Sequence, residues 1–280
     1  MRYASCRMSA YIDSHCHLNN PKIAPLGTPD ALVARANAGG VAGMVTICCR
    51  IADEPETLKS ICDRNRNVWM TVGTHPHEAS QPAEQAFTQA DIVALAQSHP
   101  KIIGIGESGL DYFYDFSDRA DQAESFRKHI RACVETGLPL VVHARDADDE
   151  IIRILREEGA GEGRLKGVMH CFSSGAKMAE DALDLGFYLS FSGIVTFKNA
   201  DTLRDIARRA PIERVLIETD APYLAPEPHR KLTNEPALVV HTAAMLAGLF
   251  DMTREEIGDK TTANFFNLFD QARDTWQPAA

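Results

Sequence analysis

Short, almost continuously apolar runs alternate with longer amphipathic segments over most of this chain, and that alternation constrains its fold more than any other feature. The runs lie near 11–17, 41–49, 68–74, 101–107, 138–144, 166–172, 187–193 and 213–219. Val41-Ala42-Gly43-Met44-Val45-Thr46-Ile47 is typical. A strand that is apolar on both faces must be covered on both, as in a parallel sheet wrapped by helices. Between the runs lie helical patterns. The clearest is 119–136, where Ala123, Phe126, Ile130 and Cys133/Val134 recur at helical spacing and Thr136-Gly137 ends the segment. Thr28-Pro29-Asp30 and Asp53-Glu54-Pro55-Glu56 read as helix starts. Eight such units predict an α/β fold, a single (β/α)8 TIM barrel. A doubly wound open sheet is the rival, but no Gly-rich dinucleotide or P-loop signature supports it. The remainder predicts additional C-terminal helices, Glu235 to Leu249 and Thr253 to Phe269, the second opened by the capping box Thr253-Arg254-Glu255-Glu256.

The 280 residues contain no internal repeat, low-complexity tract or linker, so residues 1–280 are expected to form one domain. Met8-Ser9-Ala10 lies just before the first strand, so residues 1–7 read as an upstream start or a disordered tail, and 1–10 is expected to be disordered. No apolar run approaches the roughly 20 residues that cross a bilayer, and the start lacks an apolar signal core. The expected setting is therefore cytoplasmic, without a membrane partner, and a monomer is the default for a self-contained barrel. Seven cysteines without C-x-x-C spacing suit reduced, buried thiols. A net charge of −10 argues against a protein that coats nucleic acid along a broad basic face. It leaves room for an enzyme that grips one strand end through a local cationic pocket.

In a barrel, chemistry collects at the C-terminal ends of the strands. Read in order, those positions carry Asp13-Ser14-His15-Cys16-His17, then Gly73-Thr74-His75-Pro76-His77, then Gly106-Glu107 followed by Gly109-Leu110-Asp111. His143-Ala144-Arg145, His170-Cys171-Phe172 and Glu218-Thr219-Asp220 complete the set. Alternation along the first strand places Asp13, His15 and His17 on one face, so both imidazoles can reach one divalent ion. Any one of these residues has a structural reading, as a turn cap or a hydrogen-bonded core histidine. Their recurrence at one end of one barrel points instead to a metal site. Histidine and carboxylate mixtures suit Zn, Mn, Fe or Co and tolerate Mg. Two divalent ions need anionic ligands, and Glu107 is the candidate bridge.

Taken together in this order and spacing, these motifs resemble the TatD family of metal-dependent deoxyribonucleases, of the amidohydrolase-like barrel superfamily. Ser173 after the Cys-Phe pair, the run Glu218-Thr219-Asp220-x-Pro222-Tyr223-Leu224 and Asn234-Glu235-Pro236 extend the resemblance, which spans 11 to about 269. It implies a hydrolase with two divalent ions (Mg, Mn, Zn or Co) that cleaves phosphodiester bonds at DNA ends, most simply as an exonuclease. It also implies a ligand set: His15, His17, Glu107 and Asp220 for one ion, and Glu107, His143 and His170 for the second. His75 and Arg145 would lie near the scissile phosphate. Two positions depart from the family pattern. Arg230-Lys231-Leu232-Thr233 replaces a more basic run, leaving Arg230 as a candidate substrate contact, and Ser174 precedes Gly175 where a glycine is common.

The mechanism expected is hydrolysis by a two-metal-activated water, with Asp220 taking its proton and His75 and Arg145 neutralising the phosphate. Glu218 is expected either to hold a ligating imidazole by its other nitrogen or to form a buried ion pair, and Asp13 is a second candidate for the first role. The alternatives are a metal-dependent amidase or lactonase, an aminoacyl-tRNA ester hydrolase on the same barrel, and a non-catalytic binding protein. Arg145, Lys198, Arg230 and Lys231 favour an anionic phosphate substrate, and the complete ligand set argues against the non-catalytic reading.

Overall fold

The computed structural model describes residues 11–277, so the predicted disorder of 1–10 lies outside the described residues. Eight parallel strands follow one another around a nearly closed barrel: β1 (Tyr11–Cys16), β2 (Val41–Thr46), β3 (Val68–Val72), β4 (Ile102–Asp111), β5 (Leu140–Arg145), β6 (Gly167–Met169), β7 (Tyr188–Phe191) and β8 (Val215–Ile217). The seam between β8 and β1 is closed by a parallel bridge, Cys16 to Ala221. Two backbone bonds flank it, His17 N–H to the Ala221 carbonyl at 2.8 Å and Asp220 N–H to the His15 carbonyl at 2.9 Å. The barrel expectation holds, with the strand limits shifted. β2 stops at Thr46, three residues before the predicted end, whereas β4 runs four residues past Glu107 to Asp111.

The helices form where their signals lie. The span Arg119–Thr136 coincides with the predicted one and ends at Gly137, in the left-handed conformation that a glycine adopts without strain. Thr28 caps Pro29–Ala38 by accepting the Ala31 N–H, and Thr253 forms both halves of its capping box with Glu256. The first C-terminal segment opens as a 3-10 turn, Pro236–Leu238, before the helix Val239–Leu249. After Arg254–Leu268 comes a short helix, Ala272–Thr275, that the periodicity did not reveal. Among the described residues no single helix is long and apolar enough to cross a membrane.

The core has two compartments. The larger lies between the outer strand faces (Met44, Met70, Leu140, Val142, Met169, Leu189) and the apolar stripes of the helices. The smaller is inside the barrel, where Ile12, Val45, Trp69, Ile103, Val141, Val168, Tyr188 and Leu216 meet Phe265, Phe266, Phe269 and Trp276 from the C-terminal segment. Side chains two residues apart share a strand face. The apolar layer at Val141, Val168 and Leu216 therefore places His143, His170 and Glu218 directly above it, at the top of the same interior. Trp69 is central to the floor. It is fully buried, stacks on Trp276 with centroids 5.9 Å apart, and donates its indole N–H to Thr275 Oγ1 at 2.8 Å. Trp69→Ala is expected to lower stability by about 3–5 kcal/mol through the cavity and the lost transfer energy, measured by denaturant unfolding with an unchanged m-value.

Candidate metal centre and active site

Glu107 stands at the middle of the site. It is buried, and its two oxygens face different imidazoles. Oε2 lies 3.3 Å from His15 Nε2 and 3.9 Å from His17 Nε2. Oε1 lies 2.7 Å from His170 Nε2, 2.8 Å from His143 Nδ1 and 3.3 Å from His75 Nε2. Asp220 closes the first group, with Oδ1 3.4 Å from His17 Nε2 and 3.8 Å from His15 Nε2. The six residues expected to ligate metal thus converge from five strands. Glycines make that approach possible: a Cβ on Gly73 would meet Gly106 Cα at 2.4 Å, so β3 and β4 can touch beside Glu107 only with no side chain there.

The electrostatics follow from burial opposed by pairing. Burial alone would raise the Glu107 carboxyl, but the surrounding histidines, His170 foremost, hold it well below the usual range. Burial would lower His170, yet Glu107 and Glu218 drive it well above the usual imidazole value. His15 is lowered by its own burial and by the neighbouring charge of His170. Burial would raise the Asp220 carboxyl, but the hydrogen bond from His17 together with the charges of His15, His17 and His170 lowers it below the usual range.

The donor set fits divalent cations on two grounds. The ligand atoms of His15, His17 and Asp220 lie within 4.8 Å of one another, and Glu107 Oε1 lies 2.8 Å from His143 Nδ1 and 2.7 Å from His170 Nε2, which are 3.3 Å apart. In addition, both ring nitrogens of His15 are buried without a hydrogen-bond partner among the described residues. A buried imidazole left unpaired is costly, and a cation at Nε2 removes that cost.

Supporting groups set ring orientations. Glu218 Oε1 accepts the Cys171 N–H at 2.6 Å and faces His170 Nδ1 at 3.5 Å, the side of the imidazole away from Glu107. Asp13 takes a different part from the one expected of it. Its carboxylate accepts Thr219 N–H at 2.8 Å and Thr219 Oγ1–H at 2.6 Å, and holds no imidazole. A register shift between Asp13 and Cys16 breaks the simple alternation, turning Asp13 into the β1–β8 seam while His15 and His17 enter the site. Burial raises the Asp13 carboxyl to about 8 against the Thr219 bonds.

Two residues with no expected role complete the wall: His77 and Asp111. Asp111 Oδ2 lies 2.8 Å from His77 Nε2 and 3.2 Å from His143 Nε2. Its Oδ1 accepts the N–H groups of Phe113 and Tyr114 at 3.1 and 2.9 Å. The available signal was spacing, since Asp111 falls four residues after Glu107 and so on the same strand face. Of the expected substrate contacts, Arg145 ends β5, is exposed, and lays its guanidinium over Phe113 and Tyr114 at 4.3 and 4.8 Å from the ring centroids. Arg230 is engaged elsewhere, over the Phe197 ring at 3.5 Å and bonded to the Ala225 carbonyl at 3.1 Å.

These features define a metal-dependent barrel hydrolase. Residues 12–270 match the family model for TatD related DNase. Over 259 residues the chain is 40% identical to the uncharacterized metal-dependent hydrolase YcfH of Escherichia coli, covering 92% of this chain and 95% of that one. It is 34% identical over 249 residues to the 3'-5' ssDNA/RNA exonuclease TatD of Citrobacter koseri, covering 86% and 92%. The crystal structure of YjjV, a TatD homologue from Escherichia coli, superposes with a TM-score of 0.84 at 23% identity over 94% of this chain and 99% of that one. The chain belongs to the TatD family of metal-dependent hydrolases.

His129, outside the cluster, fixes the approach of His75. Its Nε2 accepts the Thr74 N–H at 3.0 Å, and its Nδ1 pairs with the Ser125 carbonyl at 2.7 Å, which requires the neutral Nδ1–H tautomer. Burial lowers its pKa from 6.5 to about 4. The unfolded chain then binds this proton more readily, so the His129 contribution to stability is present above about 6.5 and is lost as pH falls toward about 4. Ring 15N NMR is expected to show the Nδ1–H tautomer of His129 persisting at pH 5.5, where an ordinary histidine is mostly charged.

Proposed function

We propose that this protein is a metal-dependent phosphodiesterase that removes nucleotides from the ends of single-stranded nucleic acid, with DNA as the principal substrate. The observation that carries the two-ion form of this reading is the division of Glu107, one oxygen toward His15 and His17 and the other toward His75, His143 and His170. On this reading His15, His17, Glu107 and Asp220 hold one divalent ion, and Glu107, His143 and His170 hold the second. When bound, such ions neutralise phosphate charge and make a water acidic enough to attack at neutral pH. The nuclease name of the relative in Citrobacter koseri supports the choice of substrate class.

The remaining roles belong to the chain's own groups. On this reading Asp220 orients the attacking water and accepts its proton at a carboxylate oxygen. His75 acts as a hydrogen-bond donor. Its Nδ1 accepts the His77 N–H at 3.1 Å, and burial lowers its pKa to about 4, so the neutral ring carries its proton on Nε2, facing the site. An N–H there suits a phosphoryl oxygen and opposes metal ligation through the same atom. Arg145, which makes no ion pair with any described carboxylate, supplies a fixed positive charge for the phosphate.

Metal-stripped protein is expected to regain shortening of an end-labelled single-stranded oligodeoxynucleotide when Mg, Mn, Zn or Co is restored. Glu107→Ala should lose more than about 100-fold in turnover, beyond the range of a supporting residue, and should bind less metal by calorimetry. Retained metal stoichiometry in that variant would sink the bridging assignment. Activity confined to lactones or dipeptides would move the protein to carbonyl chemistry. His75→Ala separates donor from ligand: turnover should fall by roughly 100-fold or more while metal affinity measured by calorimetry stays within experimental error.

A further inference from the structure

We propose that Phe113, Tyr114 and Phe116, in the loop after β4, form a stacking platform for unpaired bases of the strand whose phosphate enters the site. The inference rests on the nucleic-acid reading above and goes beyond it by naming the surface that grips the bases.

Three of the five large apolar side chains left exposed among the described residues fall within positions 113–116: Phe113 at 56%, Tyr114 at 45% and Phe116 at 67%. The rings are arranged against one another. Tyr114 and Phe116 lie nearly parallel, 15° apart with centroids at 5.4 Å, and Phe113 stands edge-on to Tyr114 at 4.9 Å. The loop beneath them is built, not slack. Asp111 Oδ1 holds the Phe113 and Tyr114 N–H groups, and the Tyr112 N–H reaches the Arg145 carbonyl at 2.9 Å. Arg119 covers the Tyr112 ring at 4.2 Å and pairs with Asp115 at 3.1 Å. A rigid loop presenting aromatic rings to water keeps the ordering cost of binding low.

Position selects the occupant. His77 stands edge-on to both Tyr114 and Phe116, at 5.4 and 4.8 Å between centroids, and its Nε2 is bonded to the Asp111 carboxylate that also faces His143. The rings therefore adjoin the wall of the site. Arg145 packs on two of them and makes no ion pair with a carboxylate among the described residues, so cation and π-faces are presented together. A single strand of nucleic acid offers both complements, phosphate for the guanidinium and flat bases for the rings. An apolar protein segment would leave Arg145 unmatched.

The test is an abasic scan. A 5'-fluorescein, phosphorothioate-linked oligothymidylate is titrated with the metal-loaded full chain and read by anisotropy, with one base removed at a time from the 3' end and, separately, from the 5' end. Removal of a stacked base is expected to weaken binding roughly 5- to 150-fold at one or two positions and little elsewhere. The triple variant Phe113→Leu, Tyr114→Leu and Phe116→Leu keeps apolar volume at exposed positions but removes all three π-faces. It should lose a similar factor on the intact strand and be indifferent to base removal, with an unchanged melting temperature. Equal binding of intact and abasic strands by the wild type, or a variant still sensitive to base removal, overturns the platform. If the wild type cleaves the phosphodiester version while ignoring base removal, only the platform falls. If it neither binds nor cleaves any oligonucleotide under any metal, the nucleic-acid reading falls and the platform with it.

Discussion

A single buried carboxylate, Glu107, sets the terms for everything around it. Removing a carboxylate from water is strongly unfavourable, and the structure offsets this by surrounding the group with histidines on both oxygens. The histidines are in turn poorly placed without it, because their own burial opposes charge. Neither half of this arrangement is stable alone. Donors in this number, crowded this closely, suit cations far better than they suit one another.

The barrel supplies the rigidity that such a shell needs. Below it the interior is filled by large apolar residues, with Trp69 and the aromatic residues of the C-terminal segment closing the floor. Above it the same strand faces continue as polar residues, so each ligand side chain rises from a backbone already fixed by packing. The switch from apolar to polar takes two residues, as from Val141 to His143 or from Val168 to His170. Departures from regular backbone cluster at this level: Cys171 and Asp220 both adopt positive φ, at 46° and 56°, although neither is glycine. Such conformations persist where surrounding contacts over-determine them, as the β1–β8 seam does for Asp220.

Much of this was legible in the sequence because strand periodicity and barrel topology speak to the same positions. The run Val142-His143 or Val215 to Glu218 announces both a strand and what stands at its end. The helix at 119–136 and the capping box at Thr253 were legible for local reasons, being set by chemistry within one turn. What stayed hidden depends on contacts distant in sequence. Asp13 looked like a partner of His15 and His17, but a local shift in register hands it to Thr219, 206 positions away. Asp111 and His77 looked like motif companions, and only the fold brings them to one hydrogen bond. The extent of β4 was hidden too, since Ser108-Gly109-Leu110 lacks the continuous apolar signal of a buried strand. The aromatic run at 112–116 carried no period at all, and its meaning comes from what it stands beside.

Asp111 ties two parts of the molecule to one small group. One of its oxygens anchors the turn that displays the rings, and the other meets the imidazoles of His77 and His143. Rim and wall therefore share a hinge pin. A shift of the outer loop bears on the imidazoles of His77 and His143, and a shift of those imidazoles bears on the loop. Under the stacking proposal, base preference is expected to change through the side chains at 113, 114 and 116 more readily than through the backbone that carries them.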